Sequence, residues 1–174
     1  TYRGEDLGLF RLHAPPGMHN VRNAAGAAAV GLYLNIPADL IRDGLEKFAG
    51  VGRRFEIKAQ ANGVTLIDDY GHHPAEIRAT LEAARGCNYK RLLVLFQPHR
   101  FTRTKELWDD FCRAFNQADV LLLTDIYAAS EAPIPGITGE ALANAVRAAG
   151  HKQVLYCGSM QEGIEWLLKE ARPG

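Results

Sequence analysis

Three continuous apolar runs decide most of what this chain can fold into. "RLLVLF" (Arg91 to Phe96), "DVLLLT" (Asp119 to Thr124) and "QVLYC" (Gln153 to Cys157) show no polar alternation. A strand with one wet face alternates, whereas a strand covered on both faces stays apolar throughout. Around these runs apolar residues recur at helical spacing: Ile77, Leu81 and Ala84, then Leu107, Phe111 and Phe115, then Leu142 and Val146. The last segment opens with Ser159 and Glu162 in capping-box spacing and predicts a helix that buries Met160, Ile164, Leu167 and Leu168. Upstream, "RFEIKAQ", Asn62-Gly63 and "VTLIDD" predict a hairpin, with the second run read as the first strand of the parallel sheet. The alternation predicts an α/β domain with a doubly wound, mostly parallel sheet over residues 53–174.

The preceding residues follow a different pattern. Pro15-Pro16-Gly17 is a breaker. Val21, Ala25, Ala28 and Leu32 then predict an alanine-rich amphipathic helix, and Pro37 opens a second one with Ile41, Leu45 and Phe48 on one face. Gly50-Val51-Gly52 ends it and is a candidate hinge. The chain begins at Thr1, without methionine, in what reads as a strand, and the expectation is a piece of a longer protein. Lys+Arg and Asp+Glu number 20 each, so net charge offers no pull toward nucleic acid or a membrane surface. No apolar run approaches the roughly 20 residues of a membrane helix. Cys87, Cys112 and Cys157 are scattered, which fits reduced thiols in a cytoplasmic protein.

Ligands of such sheets bind beyond the carboxyl ends of the strands. The residues there are densely polar: Asp68, Asp69, Tyr70, His72 and His73; Gln97, His99, Arg100 and Arg103; Asp125, Tyr127, Ser130 and Glu131; Gly158 and Ser159. Each cluster has a plain structural reading. Asp68 or Asp69 can cap the helix near Pro74, Asn20 and Asn23 can cap the first helix, and Arg100 and Arg103 can be a solvated face. Asp68, Asp69, His72, His73 and His99 also have metal-ligand chemistry, as in a hydrolase. The adjacent arginines repel a divalent cation and suit a carboxylate or phosphate, whose two oxygens fit the guanidinium fork. An anionic ligand and no metal is therefore the expectation, in an enzyme or in a noncatalytic anion-binding module.

"HNVRNAAGAAAV", "GVGRRFE", "IDDYGHHPAEI", "FQPHRFTRT" and "YAASEAPIPG", in this order, resemble the C-terminal part of a Mur ligase over essentially the whole chain. The resemblance implies a UDP-sugar domain, a central ATPase domain and a Rossmann-like C-terminal domain that closes over the site. Residues 1–52 would be the tail of the ATPase domain and residues 53–174 the third domain. The implied reaction is cytoplasmic, bacterial and ATP-driven: a carboxylate of UDP-N-acetylmuramate takes the γ-phosphoryl group, then the amine of L-alanine displaces phosphate. A sister activity, attaching a recycled murein tripeptide, is the alternative. ATP and Mg2+ are the implied cofactors. The G-x-x-G-K-[ST] phosphate loop does not occur in these residues, so the chain alone is expected to be inactive.

By the same resemblance His19, Asn20 and Asn23 lie at the adenine, Arg54 at the ATP phosphates and Asp69 at the ribose. Tyr70, His72, His99, Arg100 and Arg103 belong to the substrate side, where the arginines take the alanine carboxylate. Arg54, His72 and His99 are the implied catalytic residues.

Overall fold

The computed structural model describes residues 4, 6–13 and 15–173. Helix α1 (Met18–Tyr33) starts after the Pro-Pro-Gly breaker, and α2 (Ala38–Lys47) starts after Pro37. The two pack on each other. Next come β1 (Glu56–Ala61) and β2 (Val64–Asp68), an antiparallel hairpin closed between Ala61 and Val64. Asn62 and Gly63 both have positive φ, 51° and 72°, as the mirror-image turns that match strand twist require.

Helix α3 (Pro74–Gly86) leads into β3 (Leu93–Phe96), α4 (Phe101–Glu106), α5 (Trp108–Ala114), β4 (Val120–Thr124), α6 (Gly139–Ala148), β5 (Val154–Gly158) and α7 (Met160–Glu170). Strands β3, β4 and β5 form a parallel sheet in that order. The central strand β4 is buried along its whole length. Its Leu121 and Leu123 join a core with Ile77 and Leu81 of α3, Phe111 of α5, Phe115, and Leu142 and Val146 of α6. Successive side chains of a strand point to opposite faces, and α7 packs against all three strands. Helices thus cover both faces, as the unbroken apolar runs demand.

Three expectations change in detail. The "VTLIDD" run does not join the parallel sheet; β2 pairs with β1 in a sheet of two strands. Its attachment is through side chains instead: Ile67 packs with Phe55, with Ala83 and Ala84 of α3, and with Leu92. The helix expected to run through Leu107 breaks there into α4 and α5, although Phe111 and Phe115 are fully buried as read. Met160, Ile164 and Leu168 of α7 are exposed rather than buried. The helix approaches the sheet through Gly163, which sits against Leu95 and Cys157, so the stripe one face round is left outside.

Gly139 allows an equally close contact. A Cβ there would collide with the carbonyl oxygen of Thr124, at the end of β4, which cannot rotate away. In an unconstrained helix, replacing glycine by alanine gains up to about 1 kcal/mol. Here the sign should reverse: Gly139→Ala should destabilise the chain by about 1–3 kcal/mol, the usual cost of overpacking, read as a fall in the urea midpoint at constant slope.

Candidate active site

The turn carrying Arg54 is built by its neighbours' backbone. Arg53 and Phe55 have φ of 58° and 49°, a left-handed conformation that side-chain-bearing residues seldom adopt. Asp69 holds the turn: Oδ2 accepts from the Phe55 N–H at 2.8 Å and Oδ1 from the Gly71 N–H at 2.7 Å. The Glu56 carboxylate accepts from the Arg53 N–H at 2.7 Å, and Tyr70 N–H donates to the Arg53 carbonyl at 2.7 Å. Phe55 is buried as the anchor, while Arg54 stays at the surface. The guanidinium carbons of Arg53 and Arg54 lie 4.9 and 5.8 Å from the centre of the Tyr70 ring, a cation–π arrangement.

Helix α3 is capped by His73 and Glu76, and neither aspartate takes that role. The His73 Nδ1 accepts from the Ala75 N–H at 3.2 Å, and Glu76 reaches back to the N–H groups of His72 and His73 at 3.0 and 3.1 Å. The His72 ring places Nδ1 3.1 Å from the Tyr70 carbonyl and stands edge-on to the Tyr70 ring. Asn20 does not cap α1; its Nδ2 donates to the Pro15 carbonyl at 2.8 Å and so secures the loop before the helix.

Beyond the parallel sheet, the loops after β3 and β4 continue to pair. Arg100 N–H donates to the Tyr127 carbonyl and Tyr127 N–H to the Pro98 carbonyl, each at 2.8 Å. The His99 ring lies 5.3 Å from that of Tyr127. Arg103 lies 3.4 Å from both Nδ1 and the carbonyl oxygen of His99. Burial depresses the pKa of His99, and the positive charges of Arg103, Arg100 and His72 add to the effect against a smaller opposing pull from Glu131. Its imidazole is therefore held neutral to lower pH than usual. Arg100, at φ 74°, faces Glu131 at 3.9 Å, while Glu131 also accepts from the Thr102 N–H and hydroxyl at 3.0 and 2.7 Å.

The Arg54 turn and the start of α3 face α1 and α2 across a cleft of about 800 Å3. His19, Asn20, Asn23, Arg54 and Asp69 all line it, with Leu45, Phe48 and Val51 as an apolar wall. The cleft thus offers amide and imidazole groups, a guanidinium and the carboxylates of Asp69 and Glu76 beside an apolar wall. Tyr70, His72, His99, Arg100 and Arg103 are not among its lining residues; Tyr70 and His72 adjoin it through Arg54 and Glu76, which are.

Residues 53–174 match the family model described as "Mur ligase, glutamate ligase domain". The chain belongs to the Mur ligase family. It is 54% identical over 173 residues to UDP-N-acetylmuramate--L-alanine ligase of Solibacter usitatus, covering 99% of this chain and 36% of that protein. It therefore spans about a third of that relative's length. The crystal structure of UDP-N-acetylmuramate-alanine ligase MurC from Thermotoga maritima superposes with a TM-score of 0.71 at 29% identity, over 91% of this chain and 33% of that one. A murein peptide ligase from Psychrobacter arcticus shares the fold, with a TM-score of 0.66 at 24% identity, over 91% of this chain and 32% of that one.

In this Mur ligase chain the five residues proposed for a metal do not converge. Asp68 faces Arg53 at 3.3 Å, both oxygens of Asp69 are held by backbone N–H groups, and the His73 Nδ1 caps α3. Among the described residues no three His, Cys, Asp or Glu side chains gather as a metal site. One contributor escaped the sequence reading. Glu76 lies 3.5 Å from Arg54 as well as beside His72. The signal was present: His73 and Glu76 have the three-residue spacing of a capping box, with histidine in place of serine or threonine. The apolar wall from α2 was likewise hidden, because Leu45 and Phe48 read as ordinary helix packing.

Asp69 is a brace whatever else it binds. Asp69→Ala leaves the Phe55 and Gly71 N–H groups without their acceptor and should cost about 1–3 kcal/mol in urea denaturation. Asp69→Asn keeps one acceptor oxygen and should fall between the alanine variant and the unmodified chain.

Proposed function

We propose that this chain is the closing end of an ATP-dependent ligase that joins L-alanine to UDP-N-acetylmuramate in bacterial peptidoglycan synthesis. The observation that carries the reading is the cleft itself, which gathers every residue assigned to the nucleotide from separate stretches of sequence around His19, Arg54 and Asp69. Relatives bearing that ligase name and matching nearly the whole chain at about half identity support the choice of substrates. The same identity supports alanine over the murein tripeptide as acceptor. Residues 1–52 then belong to the central ATPase domain and residues 53–174 to the mobile third domain, with Gly50-Val51-Gly52 as the joint. The reaction uses cytoplasmic substrates, and no described helix is long and apolar enough to cross a membrane.

In this reading Asn20, Asn23 and His19 hold the adenine against the apolar wall of α2. Asp69, whose oxygens keep spare lone pairs, accepts from the ribose hydroxyls. Arg54 meets negative charge that develops on the transferred phosphoryl group, where a fixed cation helps the transition state more than the ground state. Arg103 and Arg100 take the carboxylate of alanine. His99, neutral and beside Arg103, accepts a proton from the alanine ammonium, which frees the amine to attack. His72 lies on the amino-acid side, beside Glu76. Closure keeps water from the acyl phosphate. Mg2+ would accompany ATP in the complete polypeptide, and the roles assigned here to this chain's residues are binding, orientation and proton transfer.

In the complete polypeptide, Arg54→Ala should lower kcat strongly, and unchanged kinetics in the folded variant would sink the phosphate assignment. Arg103→Ala should raise the KM for L-alanine by about 10- to 150-fold, the worth of a charge-assisted hydrogen bond of about 1.5–3 kcal/mol, with the KM for ATP nearly unchanged. Arg103→Lys should rescue in part, since an ammonium cannot fork across two oxygens. The pH profile offers an independent check. The Arg103 charge lowers the pKa of His99, so Arg103→Ala should move the acid limb of kcat to higher pH. An alanine KM that stays put while the ATP term rises would reassign these arginines to the phosphates.

A further inference from the structure

Glu76 makes more contacts than a helix cap needs. One oxygen, Oε2, accepts from the N–H groups of His72 and His73 at 3.0 and 3.1 Å and lies 3.5 Å from the His72 Nδ1. The other, Oε1, faces a guanidinium nitrogen of Arg54 at 3.5 Å. A capping box requires the bond to the N-cap residue His73 alone. The remaining contacts reach the side chain of one proposed site residue and the ring of another. Glu76 is itself half-buried and lines the cleft. Its backbone sits in the first turn of α3, whose Ile77 and Leu81 are locked in the core. Burial resists ionisation, but the two N–H groups and the neighbouring His72 and Arg54 charges outweigh it and keep the carboxyl below its ordinary pKa.

We infer that Glu76 is a positioning residue that holds Arg54 and His72 in one frame, so that the nucleotide side and the amino-acid side of the cleft are set together. Arg54 stands on a strained turn outside the helix, and His72 stands on the loop before it; without Glu76 no described carboxylate joins them. The inference rests on the ligase reading, because it assigns Arg54 to ATP and His72 to the amino-acid side.

Glutamine separates the charge from the cap. Its amide oxygen can still accept from the His72 and His73 N–H groups, but it offers no negative charge to Arg54. In the complete polypeptide, Glu76→Gln should therefore keep the cap and lower the urea midpoint only slightly, by the loss of the favoured charge. It should lower kcat by roughly 10- to 100-fold, the scale of misplacing a reacting group, and raise the KM for both ATP and L-alanine. Asp69 and Arg103 variants should each raise only one. Coupling is the decisive readout. The loss caused by Glu76→Gln should shrink at least about fivefold in an Arg54→Ala background and again in a His72→Ala background, beyond the roughly twofold scatter of independent sites. Losses that add in both backgrounds, or that follow a large fall in the midpoint, overturn the inference and leave the site assignment standing. Failure of Glu76→Gln to fold also overturns it, since the charge would then be structural. If Arg54→Ala and His72→Ala are themselves silent, the ligase site reading fails first, and this inference fails with it.

Discussion

The architecture depends on the complete burial of one five-residue strand. Val120 to Thr124 has neighbours on both edges and helices over both faces. A strand in that position must have every backbone group paired and every side chain apolar or satisfied, because water reaches none of it. Apolar residues therefore fill it up to its last position, where the buried Thr124 hydroxyl donates to the Asp125 carbonyl, and further polar residues follow once it ends. The same holds in weaker form for its neighbours. The chemistry of this domain is displaced to the rim by the needs of the core, and the continued pairing of the loops through His99 and Tyr127 keeps that rim in register with the sheet beneath it.

The cleft around Arg54 and Asp69 is made differently. It adjoins the two-stranded hairpin and not the parallel sheet, and it relies on carboxylates that organise backbone. Asp69 and Glu76 each hold two N–H groups, and together they fix a strained turn and a helix start. Cations then stand where the backbone has put them, partly spread over the face of Tyr70. Partly exposed ion pairs contribute little to stability, typically ~0–1 kcal/mol. Their importance here is directional: they select one orientation for side chains that would otherwise sample many.

How much of this was legible beforehand follows from what each signal depends on. The three parallel strands were legible because a short unbroken apolar run, set between helical patterns, fits a strand in a covered sheet, although only β4 is buried throughout and Tyr156 of β5 is exposed. The Asn62-Gly63 turn was legible because its conformation demands those residue types. The exposed face of α7 was not: a helical stripe records periodicity, and it was Gly163, with no side chain to announce itself, that chose the face meeting the sheet. The place of β2 was not legible either, since a short apolar run with β-branched residues says strand without saying which sheet. At the site, the family resemblance named cleft-lining residues on both sides of Gly50-Val51-Gly52. Glu76 was missed because its role depends on Arg54, 22 positions earlier in sequence, coming within reach.

The left-handed pair Arg53 and Phe55 carries a consequence for how such a chain can change over time. Two side-chain-bearing residues in that conformation each cost on the order of 1 kcal/mol or more. Glycine at position 53 would remove part of that cost, so stabilising substitutions lie one codon step away for many lineages. The same change would remove the guanidinium beside Asp68 and Tyr70 and give the neighbouring arginine more directions to point. Robustness and aim thus pull against each other within three consecutive residues, and a lineage that keeps the strained turn has kept orientation over durability.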